Sequence, residues 1–406
     1  MRGAVLAIGT ELLLGDVVNS NAASLGRQLA AAGIEVVASE ALPDALPVLV
    51  AAIRRHLTEV DVLVLCGGLG PTIDDLTREA VAAAMEAPLS RSARLEQQLR
   101  DRFAAWGRPM PDAVLRQADV PTGAESLENT AGTAPGLWLA QDGKIVIALP
   151  GPPHELRATS EPVWPRLAGM SGRAVTTRQV LVFGLGESVV AERVEAAVTV
   201  PDGVSLSYLA SGGLVRVRFT TTQDPGWLAP LVDKVDAVLG AAAWGHDDQT
   251  VSGLVHDTLF DRGQTVAVAE SLTGGTLAAA LSERPGSSTT FRGGMVVYAT
   301  DLKESLAGVP GPLLAASGAV SADTAAALAS GVRERLDATW GLACTGVAGP
   351  DEQEGKPVGT VFLAVSGPTS EVIEVLLPGD RDRVRMLTTQ HALHLLRSHL
   401  HPHPHA

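Results

Sequence analysis

The sequence of residues 269–276 is Ala-Glu-Ser-Leu-Thr-Gly-Gly-Thr, and it joins two segments of different character. Residues 264–269 form a short, apolar and β-branched run, which is typical of a buried strand. Residues 276–283 are rich in alanine and leucine, which favours a helix. Ser271 is therefore predicted to lie where a strand turns into a helix, the connection that α/β folds repeat.

This predicted turn has two interpretations. The first N–H groups of a helix lack intrahelical acceptors and the helix dipole is positive there, so an anion or an oxyanion is stabilised. A serine hydroxyl at that place could act as a nucleophile with its oxyanion donors beside it. Alternatively, Ser271 or Thr273 is only an N-cap, and Gly274 and Gly275 only close a turn. The octapeptide alone leaves both interpretations open.

Length, charge and cysteine content limit the class of protein. A chain of 406 residues is too long for one ordinary core, so two or three domains are expected. It has no uncharged apolar run of about 18 residues and no signal-peptide pattern, which predicts no membrane segment. The net charge of −14 argues against broad binding to nucleic acid or to acidic membranes. Cys66 and Cys344 are far apart, which fits neither a disulfide framework nor a metal site and predicts a cytoplasmic protein.

The first segment, residues 1–168, alternates strand-like and helix-like stretches. This pattern predicts a mainly parallel, doubly wound sheet that binds ligands at the carboxyl ends of its strands. One strand leads into Cys66-Gly-Gly-Leu-Gly-Pro-Thr-Ile-Asp-Asp75, a candidate phosphate cradle with bare backbone N–H groups at a helix start. Asp74 and Asp75 suggest a divalent cation between carboxylate and phosphate. Alternatively, both aspartates simply favour the start of a helix.

The middle segment, residues 172–246, predicts a small α+β unit with a hairpin across Ala210-Ser-Gly-Gly213. It has no basic stripe, so we assign it a connecting or dimer-forming role and expect no nucleic-acid contact. The tail, His-Pro-His-Pro-His-Ala at 401–406, is predicted to be a disordered end.

The last segment, residues 248–400, contains the opening turn and a second strand-to-loop glycine turn, Thr345-Gly-Val-Ala-Gly349. Its final predicted helix, residues 381–397, carries three arginines in its first turns, Arg381, Arg383 and Arg385.

Several motifs of the chain occur in an order that resembles the CinA family over nearly the whole length. In the first segment they are Ile8-Gly-Thr-Glu-Leu-Leu, Gly15-Asp16 with Asn19-Ser-Asn21, the glycine loop, Gly132-Thr-Ala-Pro-Gly136 and Leu149-Pro-Gly-Pro-Pro153. The resemblance implies a MogA-like, molybdopterin-binding-like domain at 1–168, a KH-like connecting domain at 172–246 and an α/β amidohydrolase domain at 248–400.

For the first domain, the resemblance implies hydrolysis of ADP-ribose with a divalent metal such as Mg²⁺, Mn²⁺ or Co²⁺. The residues that it assigns to phosphate are Gly67, Gly68, Gly70 and Thr72, and those that it assigns to the metal are Asp74, Asp75 and Glu11.

For the last domain, the resemblance implies hydrolysis of nicotinamide mononucleotide to nicotinic acid mononucleotide and ammonia, with no cofactor required. It makes Ser271 the nucleophile, with Tyr298 and Lys303 as the proton-handling partners. A lysine can take this role only if burial or a positive neighbour lowers its pKa. Leu272 stands where many relatives have cysteine, which excludes a cysteine nucleophile there. The residues expected to bind substrate are Thr273, Gly274, Gly275, Ser288, Thr345, Gly346 and Arg385.

Each of these roles has an alternative. Tyr298 could be ordinary packing, Lys303 a solvated helix residue, and Arg385 surface charge. The N–H groups of the turn could face either an oxyanion or the substrate's phosphate, for which Arg385 is the expected side-chain partner.

Together these features predict a bifunctional, homodimeric enzyme of pyridine nucleotide salvage and NAD recycling. Two alternatives stay open. In one, the first domain binds or processes molybdopterin. In the other, the chain is an interaction protein of competence or DNA damage without catalysis, with a recombinase as its partner.

Overall fold

The computed structural model describes residues 1–172 and 175–401. Residues 402–406, most of the tail that the sequence predicts to be disordered, lie outside the described residues. Within the described stretches, no helix combines the length and the apolar character needed to cross a membrane.

The chain forms two compact units, and the first comprises residues 1–176 with 220–225. Strands and helices alternate through most of it. Its elements are β1 (Arg2–Ile8), α1 (Thr10–Leu14), α2 (Ser20–Ala31), β2 (Glu35–Leu42), α3 (Leu46–Leu57), β3 (Val62–Cys66), α4 (Thr77–Ala84), β4 (Leu89–Arg91), α5 (Ala93–Ala105), β5 (Asp119–Pro121), β6 (Glu125–Leu127), β7 (Gly136–Gln141), β8 (Lys144–Leu149), α6 (Pro153–Ser160) and α7 (Val163–Ser171).

Six of these strands form one sheet with helices on both faces. Their order is β2-β1-β3-β8-β7-β6, with β2, β1, β3 and β8 parallel and the last two antiparallel. Successive strand residues point to opposite faces. Ala4 and Leu6 therefore pack with α3 on one side, whereas Val5 packs with α2 on the other. This arrangement confirms the predicted doubly wound sheet.

The parallel strands of this sheet end together. Ala7 of β1 is paired with Cys66 of β3, and Cys66 is paired with Leu149 of β8. The loops that follow these three strands consequently meet at one edge of the sheet. This is the edge where a doubly wound sheet binds its ligands.

The second unit comprises residues 177–219 and the chain from residue 226 onward. Its residues form two separate sheets. The elements from residue 176 on are β9 (Thr176–Phe183), α8 (Glu187–Ala197), β10 (Val204–Ser211), β11 (Leu214–Thr221), α9 (Leu228–Leu239), β12 (Ala243–His246), α10 (Val251–Asp261), β13 (Val266–Glu270), α11 (Thr276–Ser282), β14 (Phe291–Val296), α12 (Thr300–Ser305), α13 (Gly311–Ser317), α14 (Ala322–Arg335), β15 (Trp340–Gly346), β16 (Thr360–Ser366), β17 (Ser370–Leu376) and α15 (Arg381–Leu400).

The smaller sheet has the strand order β10-β11-β9-β12. Alternate residues of β11, among them Val217 and Phe219, are buried against Val190 of α8 and Val235 of α9. The predicted hairpin forms between β10 and β11, with positive φ angles of 60° and 80° at Gly212 and Gly213. Helices α8 and α9 cover one face of this sheet, whereas Leu181 of β9 on the other face packs in the core that includes α10 and α15. Strands and helices combined in this way are an α+β arrangement.

The larger sheet has the strand order β14-β13-β15-β16-β17, with β14, β13 and β15 parallel and the other two antiparallel. Val266 and Val268 of β13 pack in a core that includes α10, α11 and α15. Ala267 and Ala269 face the opposite side, where α14 packs. Small side chains let this helix approach closely: a Cβ on Gly341 of β15 would lie 2.0 Å from the carbonyl oxygen of Ala329.

Candidate active site

Ser271 follows directly after β13 and is held by the neighbouring strand. Its N–H donates to the carbonyl oxygen of Cys344 in β15 at 3.1 Å. Its side-chain Oγ accepts a hydrogen bond from Nζ of Lys303 at 3.2 Å. Ser271 is only 8% exposed, so this hydroxyl lies in a site that is largely closed to solvent. The strand-to-helix turn that the sequence predicts is confirmed.

Lys303, on α12, is 1% exposed and its amine has three acceptors around it. Besides Ser271 Oγ, Nζ donates to the carbonyl oxygens of Val297 at 2.8 Å and Tyr298 at 3.3 Å. Burial lowers the pKa of this amine below its ordinary value of 10.5, and the charge of Glu354 opposes the shift. The interpretation of Lys303 as a solvated helix residue is wrong, because the side chain is buried.

These two side chains belong to a pocket of about 110 Å³. It also contains Tyr298, Thr345 and Gly346, so five of the predicted site residues come together. The pocket opens at the carboxyl ends of the three parallel strands. Because β16 runs antiparallel, the loop that enters β16 lies at the same edge and contributes to the pocket.

The loop between β15 and β16 is closed at its base. Val347 N–H donates to the carbonyl oxygen of Thr360, and Gly359 N–H donates to the carbonyl oxygen of Val347, both at 2.8 Å. Between these paired ends, the loop carries Asp351 and Gln353, which line the pocket. Neither residue is predicted as a site residue from the sequence.

Thr345 and Glu354 fix the wall opposite Ser271. The hydroxyl of Thr345 donates to the carbonyl oxygen of Ala319 at 2.7 Å. The carboxylate of Glu354 accepts from the N–H groups of Ala319 at 2.9 Å and Val320 at 3.0 Å. Thr345 therefore holds the backbone at Ala319 in place. Its neighbour Gly346 is sterically required, because a Cβ there would lie 2.6 Å from the carbonyl oxygen of Thr360.

The N–H groups at the start of α11 are already occupied. The buried carboxylate of Glu270 accepts from Gly275 N–H at 2.9 Å, Leu277 N–H at 3.0 Å and Ala278 N–H at 2.8 Å. Gly274 N–H donates to the carbonyl oxygen of Ser271 at 3.1 Å. The prediction that this turn offers free donors to an oxyanion or a phosphate is therefore wrong for Gly274 and Gly275.

Thr273 is also turned away from the pocket. Its hydroxyl lies 3.1 Å from Sγ of Cys344, and the residue is fully buried. The side chain therefore joins the turn to β15, and the role of Thr273 as a backbone donor to the substrate stays a prediction.

Ser288 and Arg385, two further residues predicted to bind substrate, lie outside the pocket. Ser288 precedes β14, whose first residue pairs with the first residue of β13, so the length of the strands separates it from Ser271. Arg385 donates through Nε to the carbonyl oxygen of Leu272 at 3.1 Å and through Nη2 to that of Thr273 at 2.9 Å. Arg385 thus supports the turn from behind and does not line the pocket, so its interpretation as free surface charge is wrong and its predicted phosphate contact is not brought to Ser271.

Arg381, one helical turn earlier, is the arginine that lines the pocket. Its Nη1 donates to the carbonyl oxygen of Gly349 at 2.7 Å, and its Nη2 donates to the hydroxyl oxygen of Tyr298. Tyr298 is 53% exposed at the pocket, so its interpretation as ordinary packing is wrong.

In the first unit, all seven predicted site residues line one pocket of about 400 Å³. The pocket lies where the loops after β1, β3 and β8 meet. Further residues also line it, and some of them belong to the sequence motifs of the first domain. The predicted residues are Glu11, Gly67, Gly68, Gly70, Thr72, Asp74 and Asp75, and the additional polar ones include Asp44, Gln117, Thr133 and Glu155.

The glycine loop in this pocket offers fewer donors than predicted. Gly67 N–H donates to the carbonyl oxygen of Leu149 at 3.0 Å. Gly70 N–H and Thr72 N–H both donate to the carboxylate of Asp75 at 2.8 Å. In the described part of the chain, the N–H groups of Gly68 and of the leucine after it have no acceptor. Of the predicted glycine donors, only that of Gly68 stays available to a phosphate, together with the leucine N–H beside it.

The carboxylates of this pocket do not fit a metal ion as they are placed. Among residues 1–172 and 175–401, no three Asp, Glu, His or Cys side chains converge as a ligand set. Both oxygens of Asp75 already accept hydrogen bonds from its own loop, and Oδ2 also accepts from the Thr72 hydroxyl. Asp74 is fully exposed, and the hydroxyl of Thr72 lowers its pKa. The three predicted metal ligands therefore line the same pocket without converging as a ligand set in the described structure.

Comparisons with known proteins cover every segment of the chain. Residues 4–169 match the family model "Probable molybdopterin binding domain", residues 177–245 match "Damage-inducible protein CinA KH domain", and residues 248–400 match "CinA C-terminal domain". These matches confirm the predicted combination of a MogA-like, a KH-like and a C-terminal α/β domain.

Full-length relatives are also known. A CinA-like protein of Frankia casuarinae is 46% identical over 414 residues, covering 98% of this chain and 96% of that protein. A CinA-like protein of Synechocystis is 38% identical over 414 residues, covering 98% of this chain and 99% of that protein. A solved structure, the protein CinA with unknown function from Thermoplasma acidophilum, is 34% identical, covers 41% of this chain and 97% of that chain, and has a TM-score of 0.39.

Proposed function

The chain belongs to the CinA family, and on that premise we propose that its C-terminal domain hydrolyses the amide of nicotinamide mononucleotide, with Ser271 as nucleophile and Lys303 as base. The observation that carries the proposal is the hydrogen bond between Nζ of Lys303 and Oγ of Ser271 at 3.2 Å. A serine hydroxyl is a weak nucleophile until a neighbouring base removes its proton. In this pocket, Lys303 is the group in hydrogen-bonding reach that can do so.

Burial gives Lys303 its chemical role. The carbonyl oxygens of Val297 and Tyr298 accept the two N–H groups of the neutral amine, which leaves its lone pair for the hydroxyl proton of Ser271. The lowered pKa increases the share of molecules in which the amine is neutral at a given pH. Neutral Lys303 takes the proton as Oγ of Ser271 forms a bond to the amide carbon. The resulting ammonium is then placed to return that proton to the departing nitrogen, which leaves as ammonia.

Water completes the reaction. The first half leaves an ester between Ser271 and the nicotinoyl group. Lys303, neutral again, removes a proton from the attacking water, the ester C–O bond breaks, and Oγ of Ser271 recovers its proton. The products are nicotinic acid mononucleotide and the free enzyme.

The donors for the tetrahedral oxyanion must come from outside the start of α11, because Glu270 and Ser271 already use its N–H groups. We assign this role to the N–H groups of Leu272 and Ala348. Both residues line the pocket, and neither N–H has an acceptor in the described residues. Backbone donors of this kind typically contribute about 10²–10³-fold to the rate.

The experiment measures ammonia release from nicotinamide mononucleotide by the full-length protein. We expect turnover by the wild type, loss of turnover in Ser271→Ala, and no change in Ser282→Ala, which alters an exposed serine at the end of α11. Absence of ammonia from the wild type, or full activity in Ser271→Ala, would reject the proposal.

For the first unit, we propose binding of a phosphorylated ligand, with ADP-ribose hydrolysis as the candidate reaction. The convergence of all seven predicted residues on one pocket supports a binding site there. No step through a metal is derived, because the carboxylates do not form a ligand set. ADP-ribose turnover, measured with and without Mg²⁺, tests the proposal, whereas tight molybdopterin binding without turnover would favour the alternative.

A further inference from the structure

Arg381 bridges the mouth of the Ser271 pocket. It is the first residue of α15, and its two Nη atoms reach the opposite walls, one to the Gly349 carbonyl oxygen at 2.7 Å and the other to the Tyr298 hydroxyl. Tyr298 follows β14, whereas Gly349 belongs to the loop after β15. The guanidinium therefore lies across the entrance, and both of its partners are uncharged oxygens.

Arg381 is also the cation of this pocket that has donors to spare. Lys303 is the other cation of the lining, but its three N–H bonds are directed at Ser271, Val297 and Tyr298. A guanidinium carries five N–H donors. Two of those on Arg381 are used, and its side chain is exposed at the entrance.

The charges around Arg381 leave it available to an anion. Asp351 is the carboxylate of the pocket lining, and Asp380 and Asp382 flank Arg381 in sequence. Within the described residues none of them forms an ion pair with Arg381: Asp380 accepts from Arg383 N–H at 2.9 Å, and Asp382 lies 3.7 Å from Nη1 of Arg385. The guanidinium is thus not neutralised.

The position of Arg381 in its helix also calls for an explanation. A cation in the first turn of a helix is disfavoured by the positive end of the dipole. A residue that breaks such a local rule usually marks a functional site. Arg385 is accounted for by its bonds to the Leu272 and Thr273 carbonyl oxygens. An anionic ligand at the pocket mouth would be attracted both by the guanidinium of Arg381 and by the positive end of the helix dipole. It would thereby offset the repulsion between these two positive charges.

We propose that Arg381 recognises the phosphate of the nucleotide substrate, exchanging the Tyr298 and Gly349 oxygens for two phosphate oxygens. A planar guanidinium can bind two phosphate oxygens at once. The exchange frees the hydroxyl of Tyr298 inside the pocket, so phosphate binding also changes the surroundings of the reacting amide. This inference rests on the function proposed for Ser271 and adds the residue that selects nucleotides over nucleosides.

The test compares two substrates that differ only in the phosphate, nicotinamide mononucleotide and nicotinamide riboside. In Arg381→Ala, kcat/KM for the mononucleotide should fall about 10–100-fold, the range of a hydrogen-bonded charge pair. The value for the riboside should change by less than about twofold. Arg381→Lys should restore part of the loss, because it keeps the charge but not the two-pronged geometry. Arg383→Ala, which alters the next exposed arginine of the same helix, is the matched control and should change neither substrate.

If the riboside is turned over too slowly to measure, the same comparison is made by equilibrium binding to Ser271→Ala, with and without Arg381→Ala. An equal loss for both ligands, or no loss for the mononucleotide, overturns the role of Arg381 while leaving the proposed reaction intact. A wild-type protein that releases no ammonia from the mononucleotide rejects the proposed function itself, and this inference with it.

Discussion

Nζ of Lys303 lies 3.2 Å from Oγ of Ser271, and both side chains are buried. No histidine lines this pocket in the described structure. The arrangement is a serine–lysine pair, and in the proposed reaction one buried amine takes the place of the imidazole and carboxylate of a serine–histidine–aspartate triad. A lysine amine can serve as a base only when its pKa is lowered, and here burial is the main cause of the lowered pKa.

Replacing Lys303 should remove catalysis. We expect Lys303→Met to lower kcat/KM for nicotinamide mononucleotide by roughly 10²-fold or more, because the proton acceptor is lost. Lys303→Arg should not restore activity, since a guanidinium does not deprotonate in proteins. Lys234→Met, at an exposed position on α9, is the control. A Lys303→Met variant of near wild-type activity would exclude the lysine as the base.

The rate should rise with pH. Only the neutral amine can accept the proton of Ser271, so kcat/KM should increase as the pH passes through the pKa of Lys303. Because burial lowers this pKa, the midpoint should lie below 10.5. A pH profile of kcat/KM from pH 6 upward measures it. A midpoint near 10.5 would mean that the working amine is exposed to water.

Stability should respond to pH through the same group. Between the lowered pKa of Lys303 and 10.5, the unfolded chain binds more protons than the folded one. The free energy of unfolding therefore rises with pH across this window, and it is reduced below it. The wild type should consequently gain stability relative to Lys303→Met as the pH increases. Paired thermal melts of the two proteins measure the difference, and a difference that is constant with pH would contradict the assignment.

Removing the carboxylate of Glu354 should move the rate profile. This carboxylate is the largest of the charges that raise the pKa of Lys303, so Glu354→Gln should shift the rise of kcat/KM to lower pH. Glu352→Gln, an exposed neighbour in the same loop, should leave the midpoint unchanged. A shift in the opposite direction would mean that Glu354 acts mainly through the Ala319–Val320 wall.

Truncating Glu270 should destabilise the domain. Glu270→Ala leaves three N–H groups at the start of α11 without their acceptor, which should cost about 2–4 kcal/mol of unfolding free energy. Glu270→Gln should cost less, because its amide oxygen can still accept. Glu283→Ala, beyond the other end of the same helix, is the control. Equal melting temperatures of Glu270→Ala and the wild type would show that the carboxylate does not hold the turn.

The two aspartates of the first unit should differ in effect. Asp75→Asn should weaken ADP-ribose binding more than Asp74→Asn, because Asp75 accepts from the N–H groups of two other loop residues whereas Asp74 is bonded to the Thr72 hydroxyl and to its own backbone. Calorimetric titration compares the two variants, and ammonia release by the C-terminal domain should stay unchanged in both. If both variants instead lose only metal-dependent turnover, the aspartates are metal ligands after all.

The sequence predicted the connections of the fold well because they depend on local patterns. The strand before Ser271, the helix after it and the hairpin at Gly212–Gly213 all follow from apolar runs and glycines that are close in sequence. The pairing of Ser271 with Lys303, 32 residues apart, came from the family resemblance. The periodicity of the sequence cannot predict this pairing, because it depends on how β14 and α12 are placed on the sheet.

The failures have the same physical origin. Arg381 and Arg385 are one helical turn apart, and which of them reaches the pocket depends on where α15 crosses the sheet. Ser288 has the right residue type but precedes its strand, so it lies at the wrong end of the sheet. Glu270 was in the opening octapeptide, yet its side chain folds back on N–H groups five to eight residues later. Such a contact exists only once the loop has closed.

The loop of residues 347–359 forms the part of the pocket that can change most easily between related domains. Its two ends are hydrogen-bonded to each other across the start of β16, so the sheet register does not depend on what lies between them. The loop carries Gly349, Asp351 and Gln353 to the pocket, while Ser271 and Lys303 belong to other elements. The part of the loop around Asp351 and Gln353 therefore forms a rim that is structurally separate from Ser271 and Lys303. Substitutions at Asp351 and Gln353 can therefore alter the molecule that is admitted, while Ser271 and Lys303 on other elements, and Ala348 and Glu354 of the same loop, keep the positions that the proposed reaction needs.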